Sequence, residues 1–353
     1  MHEEILFQQI GSPVFQNKVY PTREAARRAA LGDVELVQSP ISGLVHNRTF
    51  DPSLVRYDTD YQNEQACSGA FRCHLDHVLG IVLPNLGPDK FGVEIGCGKG
   101  HFLELLCDAG ANVTGFDPAY EGSNPRVVKK YFAEEPISKP PDFVILRHVL
   151  EHLPNPWNFL EQLSAQCKAG TKIYIEVPCF EWIVEHQAFY DIFYEHVNYF
   201  TLDVLRSAFG VVTKSGNFFG AQYLFLVADL STFRAPEQYG GRRFGKLDMN
   251  GYMHTLLRMR SGSSGKTFIW GAGAKGITLS NIFCRIAIPI DAIIDINPAK
   301  QGMFAGGSGL PIIGQDDAIR QIGGADVFVM NPVYLPEIRS LLSDVSVNLI
   351  PVA

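Results

Sequence analysis

The sequence contains no apolar run close to the roughly 20 residues that span a bilayer. Residues 1–4 also lack the basic region, followed by an apolar one, that begins a secretion signal. The seven cysteines are scattered and form no Cys-x-x-Cys pair, which argues against a disulfide framework and a structural zinc site. We therefore expect a cytoplasmic protein with reduced thiols, no membrane partner and no bound metal.

Basic residues are also few: 30 Lys and Arg stand against 37 Asp and Glu, for a net charge of −7. They form no basic stripe, so we do not expect a nucleic-acid backbone as the main partner. Hydrophobic residues make up 46% and charged residues 19%, which is typical of a globular chain. At 353 residues the chain is too long for one ordinary core, which predicts two domains and an appendage.

The most informative stretch is residues 91–102, where a short apolar strand runs into glycines and then into a helix with apolar spacing. The glycines follow at every second position: Gly96, Gly98 and Gly100. Residues without a Cβ let the backbone approach a bound molecule closely. A dinucleotide turn, spaced Gly-x-Gly-x-x-Gly, would need a glycine at His101 instead. With Glu94 two residues before the first glycine, the pattern resembles the first motif of class I S-adenosylmethionine (SAM) methyltransferases.

From about residue 71 to 230, strand and helix signals alternate, which predicts a mostly parallel, doubly wound sheet. Asp117 ends the strand after the glycines, where an acid can accept hydrogen bonds from ribose hydroxyls. Arg147 and His148 leave the next strand at the carboxyl edge, where ligands bind in open α/β sheets. We expect all three residues beside the cofactor. A glycine-rich turn without a ligand is the alternative.

The insertion at residues 178–201 is dense in aromatic and acid/base side chains and follows a strand, so we expect it to cover the cofactor edge as the substrate site. Methyl transfer to carbon needs a base beside a carbonyl and donors for the enolate. We predict His196 as the base and Glu195 as its orienting partner. Tyr194 or His152 would donate to the developing oxyanion. Structural roles for the Glu195 and His196 pair and for His152 are the alternatives.

Residues 231–264 are polar and end in a Gly/Ser-rich stretch, which indicates a linker. A second α/β unit follows, in which Gly271, Gly273 and Gly276 match Gly-x-Gly-x-x-Gly. Asp295 ends the next strand roughly 20 residues on, where a dinucleotide site has its ribose-binding acid. Taken alone, this pattern favours NAD(P), and an NAD(P)-dependent oxidoreductase is the rival hypothesis. Its weakness is that no acid/base pair lies clearly beside this turn.

Beyond the first motif, the chain resembles the sugar C-methyltransferases, SAM-dependent enzymes that methylate a carbon of nucleotide-linked keto sugars. The likeness runs from about residue 57 to the C-terminus. Three phrases carry most of it, at residues 189–200, 270–276 and 294–302. The resemblance implies active-site roles for Glu195, His196 and His152, with His196 as the base. It also implies that the second glycine-rich turn belongs to a Rossmann-like domain that helps to enclose substrate.

The chain also departs from the pattern of that family. The usual N-terminal cysteine-rich zinc module has no counterpart in this sequence. Phe193 and Asn63 stand where the family has tyrosines, which removes two phenol donors and changes the oxygen pattern that the pocket can satisfy. Together with Tyr61 and Tyr199, these two residues are our predicted substrate contacts.

The sequence thus predicts an α/β protein in which a class I methyltransferase-type sheet precedes a smaller Rossmann-like domain. The predicted segments are an appendage that lines the substrate site (residues 1–70), a SAM-binding domain (71–230), a linker (231–264) and a C-terminal domain (265–353). The predicted function is SAM-dependent methylation of a carbon in a small keto compound, in natural-product biosynthesis. A nucleotide-linked keto sugar is the first candidate for that compound. Methylation of oxygen or nitrogen in a natural-product intermediate, and SAM binding without turnover, are alternatives.

Overall fold

The computed structural model describes residues 3–55, 68–132 and 139–352. Tyr61 and Asn63, two of the predicted substrate contacts, lie outside these ranges. Within them the chain forms four sheets, of seven, five, four and two strands. No helix in this part of the chain is both long and apolar enough to cross a membrane.

The strands are numbered here in chain order. They are β1 Ile5–Pro13, β2 Val19–Tyr20, β3 Leu31–Gln38, β4 Val45–Asn47, β5 Gly92–Ile95, β6 Val113–Phe116, β7 Val127–Val128, β8 Phe143–Arg147, β9 Lys172–Pro178, β10 Asn198–Tyr199, β11 Val212–Phe218, β12 Tyr223–Asp229, β13 Thr267–Trp270, β14 Ala292–Ile294, β15 Phe304–Ala305, β16 Ile312–Ile313, β17 Asp326–Val329 and β18 Asn348–Pro351.

The α-helices follow the same numbering. They are α1 Arg23–Arg27, α2 Gly69–Val82, α3 His101–Asp108, α4 Pro156–Ala165, α5 Phe180–Glu185, α6 Leu202–Ser207, α7 Met249–Arg258, α8 Ala274–Arg285, α9 Gln315–Ile319 and α10 Leu335–Leu341. Single turns of 3-10 helix occur at Pro52–Leu54, Leu83–Asn85, Leu150–His152, Phe189–Asp191, Leu230–Thr232 and Pro332–Tyr334.

The seven-stranded sheet has the order β11-β12-β9-β8-β5-β6-β7. Strands β5 to β9 are parallel, whereas β12 runs antiparallel to β9 and β11 antiparallel to β12. Apolar side chains of α2 and α3, such as Leu75, Val78 and Leu103, pack on one face of it. This arrangement confirms the predicted α/β fold with a class I methyltransferase-type sheet. The edge strand β11 was missed, because its residues are mostly polar and partly exposed.

The five-stranded sheet has the order β16-β14-β13-β17-β18, and all its strands are parallel. All four residues of β13 are buried, as expected for a central parallel strand. Helix α8 follows β13 directly, in the strand, turn and helix order of a Rossmann-like unit. The second α/β unit therefore has the predicted architecture.

The N-terminal segment joins the other parts of the chain through its strands. β1, β3 and β4 form an antiparallel sheet whose fourth strand is β10, from the insertion. The short strand β2 pairs with β15 of the C-terminal unit. The pairing of β10 with β4 attaches the insertion to the N-terminal sheet.

Residues 231–264, expected to be a linker, contain the helix α7. Its Tyr252 is buried, and the Tyr252 hydroxyl donates to the Val352 carbonyl at 2.7 Å.

Candidate active site

The turn after β5 adopts a backbone conformation that favours glycine. Gly96, Gly98 and Gly100 have φ angles of 74°, 56° and 82°. A Cβ on Gly96 would lie 2.5 Å from Cγ2 of Val149, well inside van der Waals contact. The positive φ and the lack of space together exclude a larger residue at Gly96. The backbone of this turn consequently lies open to a large cavity beside it.

Asp117, at the end of β6, holds this turn in place. Its Oδ2 accepts from the Gly98 amide at 2.8 Å, and its Oδ1 accepts from the Ala119 amide at 2.8 Å. Burial raises the pKa of the carboxyl group, and these two backbone hydrogen bonds oppose the rise. Each carboxylate oxygen keeps a second lone pair, and Asp117 lines the cavity, so it remains suited to ribose hydroxyls.

Glu94 is buried on β5 and also lines the cavity. Its Oε2 atom has no hydrogen-bond partner among the described residues. Burial raises the pKa of its carboxyl group to about 7, although the nearby Arg147 guanidinium acts in the opposite direction. A buried carboxylate oxygen without a donor fits a cationic ligand, and both the sulfonium and the amino group of SAM carry positive charge.

The cavity has a volume of about 830 Å³ and joins both glycine-rich turns. One wall contains the turn after β5 and the segments that follow β6 and β8. Another part of the lining comes from the second turn and includes Gly271, Gly273 and Lys275. Phe193 and His196 of the insertion line the same space. The methyltransferase-type sheet, the insertion and the C-terminal unit therefore share one cavity.

Arg147 and His148 line this cavity, and both contact the buried carboxylate of Glu176 on β9. Oε1 of Glu176 lies 3.3 Å from the Arg147 guanidinium and 2.9 Å from Nε2 of His148. The same carboxylate contacts His74 at 3.0 Å and accepts from the Tyr174 hydroxyl at 2.7 Å. Burial opposes its ionisation, but the Arg147 guanidinium and the hydrogen bonds from His148 and His74 hold the pKa of Glu176 well below its usual value. Sequence reasoning missed Glu176, because it lies inside an apolar strand.

His196 and His152 both line the cavity, and their rings pack edge to face with centroids 4.9 Å apart. Nδ1 of His196 is buried and makes no hydrogen bond within the described residues. The ring of Phe193 packs against the ring of His196, with the two centroids 4.0 Å apart. Burial lowers the pKa of His196 well below its usual value, and its basic neighbours add to the effect. His196 is therefore neutral at physiological pH and has a ring lone pair to accept a proton.

A hydrogen bond at Nδ1 bears on the donor role predicted for His152. Its Nδ1 lies 2.9 Å from the Glu195 carbonyl, which can only accept, so a proton is on Nδ1. Burial lowers the pKa of His152, which favours the neutral ring. Donation from Nε2 to an oxyanion would require the protonated ring, and this role stays a prediction. A ring nitrogen of each histidine and an oxygen of Glu151 lie within 4.8 Å of one another, a spacing that could admit a metal ion.

Three other predicted residues make hydrogen bonds to the N-terminal segment or within the insertion. Oε2 of Glu195 accepts from the Gln16 amide at 2.8 Å, which turns this carboxylate towards the N-terminal segment. The Tyr194 hydroxyl accepts from the backbone amide of Asp51 at 2.8 Å. The Tyr199 hydroxyl donates to the Phe193 carbonyl at 3.1 Å. These contacts support the insertion. None of the three residues is among those that line the cavity, whereas Phe193 is, and their catalytic and substrate-binding roles stay predictions.

Sequence reasoning missed Lys275, which brings the second glycine-rich turn into the site. Its Nζ lies 2.9 Å from the Asp191 carboxylate and donates to Oε1 of Gln222 at 2.7 Å. The ammonium group also lies 5.1 Å from the centre of the Trp182 ring. A lysine in a turn that opens a helix was a usable signal, but its partners come from elements more than 50 residues away in sequence.

The second turn is stabilised by side chains from the segment that follows β14. Oδ2 of Asp295 accepts from the Ala272 amide at 2.6 Å, as Asp117 does from the first turn. Lys300 donates to the Ala272 carbonyl at 2.9 Å. A Cβ on Gly276 would lie 1.8 Å from the carbonyl oxygen of Gly271, so close helix packing accounts for this glycine.

Two family models match the chain. The model of a methyltransferase domain matches residues 72–210, and that of a C-methyltransferase C-terminal domain matches residues 248–345. Together they cover more than half of the sequence. The chain belongs to the SAM-dependent C-methyltransferase family. In this methyltransferase the first match contains the Glu94 turn and the two cavity histidines, and the second contains the Lys275 turn.

Several individual proteins are similar to parts of this chain. The C-methyltransferase NovU of Streptomyces niveus is 28% identical over 163 residues, which cover 42% of this chain and 39% of NovU. The ubiquinone biosynthesis O-methyltransferase of Colwellia psychrerythraea is 32% identical over 111 residues, which cover 28% of this chain and 45% of the relative. The chain thus spans less than half the length of either relative. A SAM-dependent methyltransferase of known structure, from Archaeoglobus fulgidus, is 20% identical with a TM-score of 0.37, and the match covers 45% of this chain and 94% of the other.

Proposed function

We propose that this protein transfers a methyl group from SAM to a carbon atom of a small keto compound. The observation that carries the proposal is that the glycine-rich turn after β5 and the His152 and His196 pair open onto one cavity. Glu94 supports the choice of a cationic cofactor, because its buried Oε2 has no donor among the described residues. When bound, SAM supplies an electrophilic methyl group on a sulfonium leaving group.

In the proposed mechanism, His196 accepts a proton from the carbon beside the acceptor carbonyl. A neutral imidazole is required for this step, and burial together with basic neighbours favours that form. The electron pair of the broken C–H bond passes into the enolate, which becomes the carbon nucleophile. Phe193 covers one face of His196 and so excludes water from the base.

For the acceptor, we propose a nucleotide-linked keto sugar, with a role in natural-product biosynthesis in the cytoplasm. The resemblance to sugar C-methyltransferases and the C-terminal domain match support this choice. The cavity of about 830 Å³ is large enough for a cofactor and a second sizeable ligand. Lys275 and Asp191 provide a charged pair that suits the hydroxyl and carbonyl oxygens of a sugar.

Calorimetry with SAM, S-adenosylhomocysteine, NAD and NADP tests the choice of cofactor. We expect binding of the first two ligands and none of the nicotinamide nucleotides. Tight NAD binding without SAM binding would favour an oxidoreductase that uses Gly271, Gly273, Gly276 and Asp295, and would end the proposal.

Incubation with SAM and a panel of keto sugar nucleotides, followed by mass spectrometry and NMR of the product, tests the reaction. We expect a mass gain of one methyl group, bonded to carbon. A methyl group on oxygen or nitrogen would refute the proposed enolate. The variant His196→Ala should keep its affinity for SAM and lose turnover, because it keeps the cofactor turn but lacks the base. Unchanged turnover in that variant would contradict the role of His196.

A further inference from the structure

The sequence predicts Glu195 as the carboxylate that orients the base His196, but in the structure the Glu151 carboxylate also lies close to His196 and His152. Glu151 is completely buried in the 3-10 turn after β8 and lines the cavity. Its Oε1 lies 3.3 Å from Nδ1 of His148, and its Oε2 has no hydrogen-bond partner among the described residues. Carboxylates are rarely buried without full pairing, so the free oxygen needs an explanation.

The position of Glu151 supplies that explanation. One of its oxygens and one ring nitrogen each of His152 and His196 lie within 4.8 Å of one another. The base would gain a positive charge on taking a proton. Beyond burial, three basic groups, His152, His148 and Lys275, lower the pKa of His196, whereas the charge of Glu151 opposes the lowering by burial of the pKa of its partner His152. A negative charge at this distance therefore favours protonation of the histidine pair.

We propose that Glu151 is the positioning residue of the base: its carboxylate orients the His152 and His196 pair and stabilises the positive charge formed on it during proton abstraction. This inference rests on the proposed function. In the step concerned, the acceptor C–H bond breaks, the proton goes to a ring nitrogen of His196, and the electron pair stays in the enolate. Glu151 itself is not required to bind the proton, as in other carboxylate and histidine pairs.

The same three side chains could instead coordinate a divalent cation. The charges around the site weigh against this. Burial opposes protonation of His148, but its hydrogen bonds to Glu151 and Glu176 raise its pKa to about 9, so this neighbour is a cation. Positive charge at His148 and Lys275 disfavours another cation.

The test compares Glu151→Gln with Glu195→Gln, which makes the same chemical change at the neighbouring carboxylate directed to Gln16. NMR titration of the imidazole signals, assigned with His152→Gln and His196→Gln, measures the pKa of the pair without any acceptor. We expect Glu151→Gln to lower this pKa by about one unit, a tenfold loss of proton affinity. Glu195→Gln should change it by less than about a third of that. Glu151→Asp keeps the charge and should restore most of the pKa.

Turnover provides the second measurement. Because the base must be neutral to act, the acidic limb of the pH–rate profile follows its pKa. This limb should move to lower pH in Glu151→Gln by the same unit, with kcat about tenfold lower or more and the KM for SAM unchanged. A purely structural role would lower kcat without moving the limb.

Several results would overturn the inference. One is an unchanged histidine pKa in Glu151→Gln, or an equal change in Glu195→Gln. Another is zinc or manganese binding to the wild type that Glu151→Gln abolishes, with turnover sensitive to a chelator. Glu151→Asp replaces Glu151→Gln in the test if the latter does not fold. A histidine-pair pKa in Glu151→Asp equal to that of the wild type supports the inference. A fall of a full pKa unit in Glu151→Asp contradicts it. If the wild type methylates no acceptor while the pKa shift is seen, the proposed function fails and the placement of Glu151 stands.

Discussion

Replacing Gly96 by alanine tests whether the first glycine-rich turn has the shape described here. The φ angle of 74° costs an alanine about 1–2 kcal/mol. The new Cβ would also lie 2.5 Å from Cγ2 of Val149, and overpacking of this kind costs about 1–3 kcal/mol. We therefore expect the free energy of unfolding to fall by about 2–5 kcal/mol and the affinity for SAM to fall at least about tenfold.

The matched control is Gly110→Ala, at the end of α3. Its φ angle is 82°, but a Cβ there meets nothing within 4 Å. In this variant the free energy of unfolding should fall only by the cost of the positive φ angle, about 1–2 kcal/mol, and SAM should bind normally. The difference between the two variants isolates the contact with Val149. Urea unfolding followed by circular dichroism measures the stability, and calorimetry measures the affinity.

A double-mutant cycle makes the test stricter. Combining Gly96→Ala with Val149→Ala removes the methyl group that the new Cβ would meet. The pair should be less destabilised than the two single changes added together, by about 1–3 kcal/mol. If Gly96→Ala costs no more than Gly110→Ala, or if the two sites show no coupling, the described turn is wrong.

Three further predictions concern buried groups. The affinity for SAM should rise as the pH increases through about 7, because Glu94 ionises there and attracts the cationic cofactor; calorimetry across this range checks it, and Glu94→Gln should remove the dependence. Glu176→Gln should cost about 3–5 kcal/mol in urea unfolding, because the Arg147 guanidinium is left buried without its carboxylate; a loss below about 1 kcal/mol would contradict the described network. Tyr194→Phe should lose about 1 kcal/mol with its Asp51 hydrogen bonds and keep its turnover, whereas a large loss of turnover would support a catalytic role for Tyr194.

The elements of the site could be predicted from local patterns. Buried strands such as β5 and β13 are short apolar runs, and each is followed by glycines that a tight turn requires. The carboxyl edge of a parallel sheet then predicts that Asp117 and His148 lie near a ligand. All of these inferences use neighbours within a few residues or the general geometry of the fold. They place backbone positions well and side-chain partners poorly.

The carboxylate that we propose to serve the base shows why. Glu195 precedes His196 in sequence, so proximity along the chain favoured it as the partner of the base. In the folded protein its side chain receives a hydrogen bond from Gln16, 179 residues away. Glu151 takes its place beside the two histidines because the turn after β8 reaches the same edge of the cavity.

The sequence by itself therefore determined the sheet, the cofactor turn and the presence of a second Rossmann-like unit, because these depend on local propensity and on periodicity along the chain. Only the tertiary structure decided that Tyr194 and Tyr199 support the insertion and that Lys275 enters the cavity. Such contacts depend on the relative placement of distant elements, which is set by packing among them. No local pattern contains that information.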